Sequence, residues 1–243
     1  SLYGNIMIYY IDDFLPQDQF DALAKRVKSG FRGDMSGLVE NSDEPLRVTH
    51  HHESGSITEA CNFLGQECRP AIDKMIDVME NDLGIQNLKN WSVWYQYIIN
   101  TMTMPTHQDQ ALRDSDKANT FTSILYTSDW EPGWGGEFIV GEPVFKAINV
   151  NASEVKMAAT GLKNLTHVIE PKPNRMLIWS REEWHAVQQV TVDIPNFKRS
   201  FLGTGWSSID VSEDAMKEKF NDLRTLVNGG RTMGSRGSGG LRG

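Results

Sequence analysis

Residues 175–190 read RMLIWSREEWHAVQQV, and two features of this stretch decide the fold. A continuous apolar run, Met176–Trp179, ends at polar residues and is followed by a second β-prone run that starts at His185. Apolar runs of about four to eight residues, bounded by turn signals, are typical of buried strands rather than of helices. The stretch therefore predicts two strands joined by a tight connection, with a histidine at the start of the second strand.

Similar short runs occur on both sides of this stretch, between residues 91 and 206. They are WSVWYQYII (91–99), TFTSILYT (120–127), GEFIV (136–140), THVIE (166–170) and RSFLGTGW (199–206). Glycine, proline, asparagine and aspartate separate them, which is typical of an antiparallel sandwich or barrel. The sequence thus predicts a mainly β core.

The predicted organisation is a single domain over residues 1–228, followed by a flexible glycine-rich tail over 229–243. Its three parts are a helical N-terminal support (1–90), the β core (91–206) and a C-terminal helix (211–228). The support opens with a predicted strand over 6–11, and helical periodicity follows from about residue 17 and again from Thr58 to Leu83, as one helix or two.

Two features of the N-terminal support, a segment without periodicity and a pair of cysteines, lead to specific predictions. Residues 30–56 have no hydrophobic periodicity and contain three consecutive histidines, so we predict a long loop, with a lid over a binding site as one hypothesis. Cys61 and Cys68 lie in predicted helix. A seven-residue separation there corresponds to about 10 Å, which is beyond the reach of a disulfide.

Composition excludes some classes of function. The net charge of −8 argues against a general affinity for nucleic acid or for anionic membranes, which need a positive surface. We also find no apolar run near the ~20 residues that span a bilayer, and no basic-then-apolar signal pattern. The expected setting is therefore cytoplasmic, with no membrane partner and with nucleic acid disfavoured.

His107-Gln108-Asp109 is a candidate metal motif. Residues two apart on a strand point to the same face, so an imidazole and a carboxylate can converge there on one ion. A third histidine from another strand would complete a set of two histidines and one carboxylate, which suits non-haem Fe(II). The motif alone is weak. With six histidines and 32 acidic residues, about one such match is expected by chance, and His51-His52-Glu53 is a second.

The order of the surrounding motifs is far more specific. After His107 come YTSDW (126–130), GWGGEF (133–138), NRMLIW (174–179), WHAVQ (184–188) and KRSF (198–201). This order resembles that of the 2-oxoglutarate/Fe(II)-dependent oxygenases, and most closely the prolyl 4-hydroxylase-like branch. The resemblance covers about residues 91–206. It implies a mainly β fold with flanking α-helices and a double-stranded β-helix (jelly-roll) core.

The resemblance also implies roles for individual residues. His107, Asp109 and His185 correspond to the iron ligands, and the presence of Asp109 favours hydroxylation or desaturation over halogenation. Tyr126 and Tyr97 correspond to tyrosines of the co-substrate pocket. Thr204 is a further candidate hydroxyl for that pocket.

The residue that anchors 2-oxoglutarate stays open between Arg199 and Lys198. The family places a basic residue on the last core strand, and the planar fork of arginine binds a carboxylate through two hydrogen bonds, which favours Arg199 as anchor and catalytic residue. However, Phe201 fills a position where the family pattern has a small residue. Counting back by twos from Trp206 puts Lys198 on the tryptophan face unless a bulge intervenes.

The implied cofactors are Fe(II), 2-oxoglutarate as co-substrate and O2, with ascorbate as a further cofactor of this branch. The implied reaction hydroxylates an unactivated C–H bond and releases succinate and CO2. The substrate partner is a prolyl or other residue in a peptide or protein, or alternatively a free amino acid, small metabolite or nucleobase. Two further alternatives are a silent jelly-roll binding module and a cupin-type isomerase or zinc hydrolase. Cupin cores usually carry a His-x-His on a core strand, and the histidines at 50–52 lie in the predicted loop instead.

Overall fold

The computed structural model describes residues 8–30, 47–52, 56–99, 103–109, 119–151, 154–191 and 198–208, all within the compact unit Ser1–Ile209. The strands are β1 (Ile8–Ile11), β2 (Arg47–His52), β3 (Lys89–Ile99), β4 (Met104–His107), β5 (Thr120–Tyr126), β6 (Phe138–Asn151), β7 (Glu154–Ile169), β8 (Met176–Ser180), β9 (His185–Val187) and β10 (Lys198–Ser207). The helices are α1 (Gln17–Gly30), α2 (Ile57–Leu64) and α3 (Arg69–Asp77). The predicted C-terminal helix and tail lie outside the described residues.

The strands form two antiparallel sheets. The larger sheet has the order β1-β8-β5-β10-β3-β2, and the smaller has the order β4-β9-β6-β7. From β4 onward the chain alternates between the sheets, with the β6–β7 hairpin as one visit to the smaller sheet. This arrangement confirms the predicted jelly-roll core with flanking helices.

Hydrophobic side chains lie on both faces of the larger sheet. Because side chains alternate along a strand, Leu177 and Trp179 of β8 face the smaller sheet, whereas Met176 and Ile178 pack against the helices. Every residue of β8 and of β5 is buried. This double burial explains why residues 176–179 read as a continuous apolar run rather than as an alternating one.

The helical layer covers the outer face of the larger sheet. Phe20, Leu23 and Val27 of α1 are buried there, in agreement with the predicted helical spacing. The predicted helix over Thr58 to Leu83 is in fact interrupted, with α2 and α3 separated at Gly65, whose φ is +118°. A short 3₁₀ turn follows it, and a π-helical turn follows α3.

The break at Gly65 corrects the expectation for the two cysteines. The thiols of Cys61 and Cys68 are both buried, and their sulfur atoms lie 3.4 Å apart rather than about 10 Å. The rise along a continuous helix does not apply, because the chain turns between them. The Cys68 thiol also donates a hydrogen bond to the carbonyl oxygen of Gly65 (3.0 Å).

The predicted loop over 30–56 is wrong in part. Residues 47–52 form β2, which pairs with β3 in a continuous antiparallel register from Arg47 opposite Ile98 to His52 opposite Val93. β2 lies at the edge of the larger sheet and pairs with one neighbour only. Its hydrogen bonds to β3 identify it as a strand, and its sequence has no alternating apolar pattern that would predict one. Residues 31–46 and 53–55 lie outside the described residues, and the lid stays a prediction. Among the described helices, none has the length and apolar character needed to cross a membrane.

Candidate active site

The smaller sheet brings the three predicted metal ligands together. His107 ends β4, Asp109 follows two residues later, and His185 begins β9. The β4–β9 register places His107 directly opposite His185. One candidate ligand atom from each of the three side chains lies within 4.8 Å of the other two. The convergence expected from the sequence is thus present.

The two imidazoles are oriented by backbone carbonyls. Nδ1 of His107 lies 2.6 Å from the carbonyl oxygen of Pro105, and Nδ1 of His185 lies 3.0 Å from that of Glu183. A carbonyl oxygen can only accept, so each Nδ1 carries the proton and each Nε2 presents a lone pair. Both Nε2 atoms face Oδ1 of Asp109, at 3.6 and 3.7 Å.

The electrostatics of the cluster suit a cation. Burial opposes the ionisation of Asp109, but the electrostatic effects of the neighbouring His107, His185 and Arg181, together with the hydrogen bond from Thr122, outweigh burial and lower its pKa. Burial lowers the pKa of His185, which favours the neutral imidazole. Two neutral imidazoles and one carboxylate are a donor set for non-haem Fe(II), and the residues present therefore fit that ion.

Asp109 is held by residues that the sequence analysis did not single out for it. Its Oδ2 accepts a hydrogen bond from Thr122 Oγ1 (2.7 Å) and another from Trp179 Nε1 (3.0 Å). Arg181, which follows β8, is buried close enough to act on its charge. Trp179 appeared in the sequence only as the end of an apolar run. A threonine in a strand carries no sequence signal for this contact.

A buried cation lies on the last strand of the larger sheet. Arg199 is 2% exposed, and its Nη1 donates to the carbonyl oxygen of Gly136 (2.6 Å). Among the described residues its Nε has no hydrogen-bond partner. A buried guanidinium with an unsatisfied donor fits an incoming carboxylate, as 2-oxoglutarate would supply. Gly136 has a φ of +83°, and a β-carbon there would lie against the Arg199 side chain.

The strand alternation separates Arg199 from Trp206. Phe201 packs between the two sheets, whereas Leu202 and Trp206 pack against the helices. Arg199 lies two residues before Phe201 on the same strand, so both belong to the side of β10 that faces the smaller sheet. The count back from Trp206 follows the helix-facing side instead, and it is therefore no argument for Lys198 as the anchor. The side chain of Lys198 is not among those described.

The structure places the three hydroxyl residues predicted for the co-substrate pocket in different surroundings. Tyr126 is buried beside Phe201, with ring centroids 6.3 Å apart, and burial raises its pKa to about 12, so its hydroxyl stays protonated. Tyr97 lies in β3 opposite Ser200, but its side chain is not among those described. The expectation for Thr204 is wrong, because its hydroxyl bonds to Ser123 on the helix-facing side of the sheet.

The family comparison agrees with this geometry. Residues 93–207 match the model of the 2OG-Fe(II) oxygenase superfamily, which is the part of the chain that holds the cluster. The match places this part of the chain in the 2OG-Fe(II) oxygenase superfamily. No curated protein matches it in sequence.

Solved structures show the same fold at low identity. A prolyl 4-hydroxylase from Pseudomonas putida is 18% identical, with a TM-score of 0.50 over 84% of this chain and 93% of that one. The viral collagen prolyl hydroxylase of Paramecium Bursaria Chlorella virus-1, in its 2OG complex, is 13% identical, with a TM-score of 0.55 over 86% and 100%. HygX from Streptomyces hygroscopicus, with nickel and 2-oxoglutarate bound, is 11% identical, with a TM-score of 0.56 over 85% and 84%.

Proposed function

We propose that the protein is an Fe(II)- and 2-oxoglutarate-dependent dioxygenase that hydroxylates an unactivated C–H bond. One observation carries the proposal: two imidazole Nε2 atoms and one carboxylate oxygen, on separate parts of the chain, face one another across the β4–β9 pair. Ferrous iron, when bound, supplies the oxidative decarboxylation of 2-oxoglutarate to succinate and CO2 that is coupled to hydroxylation. His107, Asp109 and His185 would hold it.

The protein's own residues then have distinct tasks. His107, Asp109 and His185 would hold the ion from one side and leave the co-substrate and O2 room to bind it. Arg199 would bind the far carboxylate of 2-oxoglutarate through its unsatisfied Nε, and the protonated hydroxyl of Tyr126 would donate to the same group, with Tyr97 as a further pocket residue. Anchoring one end of the molecule fixes the position of its other end. Burial of Arg199 excludes water and strengthens this attraction.

We further propose that the substrate is a prolyl or other residue in a peptide or protein. The support for this is the motif order, which resembles the prolyl 4-hydroxylase-like branch, and a fold shared with the two prolyl hydroxylases named above. The alternative is the same chemistry on a free amino acid, small metabolite or nucleobase. With either class of substrate, ascorbate would serve as an accessory reductant.

Succinate formation tests the reaction class. The protein is loaded with Fe(II) without air, mixed with 2-oxoglutarate and O2, and followed by NMR. We expect succinate from the wild type and none above background from Asp109→Ala. Asp129→Ala, which removes an exposed carboxylate, should behave as wild type. Full turnover by Asp109→Ala would contradict the ligand assignment.

Mass spectrometry tests the substrate class. Peptide libraries and pools of free amino acids are incubated separately with the loaded enzyme. Products that gain one oxygen atom, only when both iron and 2-oxoglutarate are present, identify the substrate. Oxygen gain in a peptide pool supports the proposal, whereas gain confined to free amino acids favours the alternative.

A further inference from the structure

The two oxygens of Asp109 have different environments. Oδ1 faces the Nε2 atoms of His107 and His185, at 3.6 and 3.7 Å. Oδ2 faces the opposite way and accepts hydrogen bonds from Thr122 Oγ1 and Trp179 Nε1, at 2.7 and 3.0 Å. Both donors belong to side chains that are at least 96% buried. The carboxylate is thus held at one oxygen and open at the other.

The two donors come from the opposite sheet. Thr122 on β5 and Trp179 on β8 are direct cross-strand partners in the larger sheet, so their side chains point to the same side. Asp109 follows β4 of the smaller sheet. The larger sheet therefore reaches across the core to fix a side chain that the smaller sheet presents. The pairing of two strands sets the positions of both donors.

From these contacts we propose that Thr122 and Trp179 are positioning residues that restrict Asp109 to coordination through Oδ1 alone. The proposal rests on the metal site of the proposed function and deepens it. A carboxylate can bind a metal through one oxygen or through both. Hydrogen bonds to the second oxygen favour the first mode, because coordination by Oδ2 would require both donors to lose their acceptor.

The consequence concerns the number of positions left on the ion. With Asp109 bound through one oxygen, three protein ligands leave three positions of an octahedron, enough for a two-point co-substrate and one small molecule. If Oδ2 also bound, one of these positions would be lost. Thr122 and Trp179 would therefore keep the site open for 2-oxoglutarate without touching it.

The chain offers matched variants for a test. Thr122→Val and Trp179→Phe each remove one donor with a small change of shape. Their controls are Thr204→Val and Trp206→Phe. Both residues are also buried and also form a hydrogen bond with the side-chain oxygen of Ser123, to which Trp206 donates, but on the helix-facing side. Thr122→Ser retains the hydroxyl and serves as the rescue variant.

The readouts use Co(II) in place of iron and need no turnover. We expect the Kd for Co(II) to rise about ten- to hundredfold in Thr122→Val and in Trp179→Phe, the usual effect of losing an outer partner of a ligand. Their Co(II) absorption spectra should change, and 2-oxoglutarate should bind the Co(II) proteins more weakly. Thr122→Ser, Thr204→Val and Trp206→Phe should keep the wild-type Kd and spectrum.

Each possible outcome bears on the proposal. Wild-type Co(II) affinity and spectra in both donor variants would overturn it. Equal losses in Thr204→Val and Trp206→Phe would also overturn it, because the cause would then be general destabilisation, which urea unfolding of each variant measures. Failure of the proposed function would give a different result. The wild type would bind Co(II) through His185 but would release no succinate from 2-oxoglutarate. That outcome would refute the oxygenase reaction and leave the positioning role of Thr122 and Trp179 intact.

Discussion

His107 and His185 are direct neighbours across an antiparallel strand pair, with ring centroids 4.3 Å apart. The pairing of β4 with β9 therefore builds the distance between the two imidazoles into the sheet. A slip of this register by one residue would turn one of the two side chains to the other face. Within the site, the spacing of the two histidines is therefore the distance that backbone pairing sets most directly.

The first prediction concerns metal affinity. His185→Ala should abolish detectable Co(II) binding, because only two donors would remain and one imidazole cannot be replaced by another described side chain within 4.8 Å. Isothermal titration with Co(II) measures this. His167→Ala is the matched control, since His167 lies on β7 outside the cluster and should leave the Kd unchanged. Equal losses in both variants would refute the assignment of His185.

The second prediction concerns the co-substrate anchor. Arg199→Met should raise the KM for 2-oxoglutarate about tenfold or more, since a hydrogen bond to a charged group contributes about 1.5–3 kcal/mol. Arg199→Lys should restore only part of the affinity, because an ammonium cannot reproduce the two-point fork. Steady-state succinate formation at varied 2-oxoglutarate measures both. Arg69→Met, which removes an exposed guanidinium that pairs with Asp73, should keep the wild-type KM.

The third prediction concerns packing at Gly203. A β-carbon at this position would overlap the indole of Trp94 on the neighbouring strand. Gly203→Ala should therefore lower the free energy of unfolding by about 1–3 kcal/mol, the usual cost of overpacking. Urea unfolding measures it. Gly161→Ala is the control, because a β-carbon there has no atom within 4 Å, and it should unfold at or slightly above the wild-type urea concentration.

The fourth prediction concerns acid stability. The Arg175 guanidinium binds both oxygens of Asp12, at 2.5 and 2.8 Å, and this hydrogen bonding lowers the pKa of the carboxyl below 3.8. A depressed folded-state pKa contributes stability above the unfolded-state value, and this contribution is lost as the pH falls through the folded-state value. Asp12→Asn should therefore unfold at lower urea than the wild type near neutral pH, and the difference should shrink below about pH 4.

The size of this difference should be small, because the Asp12 side chain is about half exposed and water screens the pair. Urea midpoints of both proteins across the acidic range measure it. A difference that persists unchanged into acid would show that the ion pair is not its cause.

The sequence predicted the parts of the site that belong to local motifs. His107 and Asp109 are two residues apart at one strand end, and His185 opens an apolar strand. The short runs predicted the strands, and the resemblance in motif order then singled out these three side chains. The two-sided burial of β8 likewise appears directly as a continuous apolar run.

Other parts depend on contacts between distant segments. β2 lacks an alternating apolar pattern and is defined by backbone pairing with β3. Thr122 reaches Asp109 from the opposite sheet, and its residue type is common in any strand. The face of β10 that carries Arg199 could be chosen only after the helical layer was seen to cover Trp206. Such relations arise from packing, and no local periodicity encodes them.

The adjacent thiols of Cys61 and Cys68 bear on the chemical durability of the protein. Thiols react with oxidants as thiolates, and burial strongly raises the pKa of Cys68, with the neighbouring sulfur adding to the effect. A protein whose proposed reaction consumes O2 would thus keep the Cys68 sulfur in its inert, protonated form, and burial shields both thiols from oxidants. Ageing in air should damage its exposed methionines before these cysteines, even though the two sulfur atoms lie almost in contact.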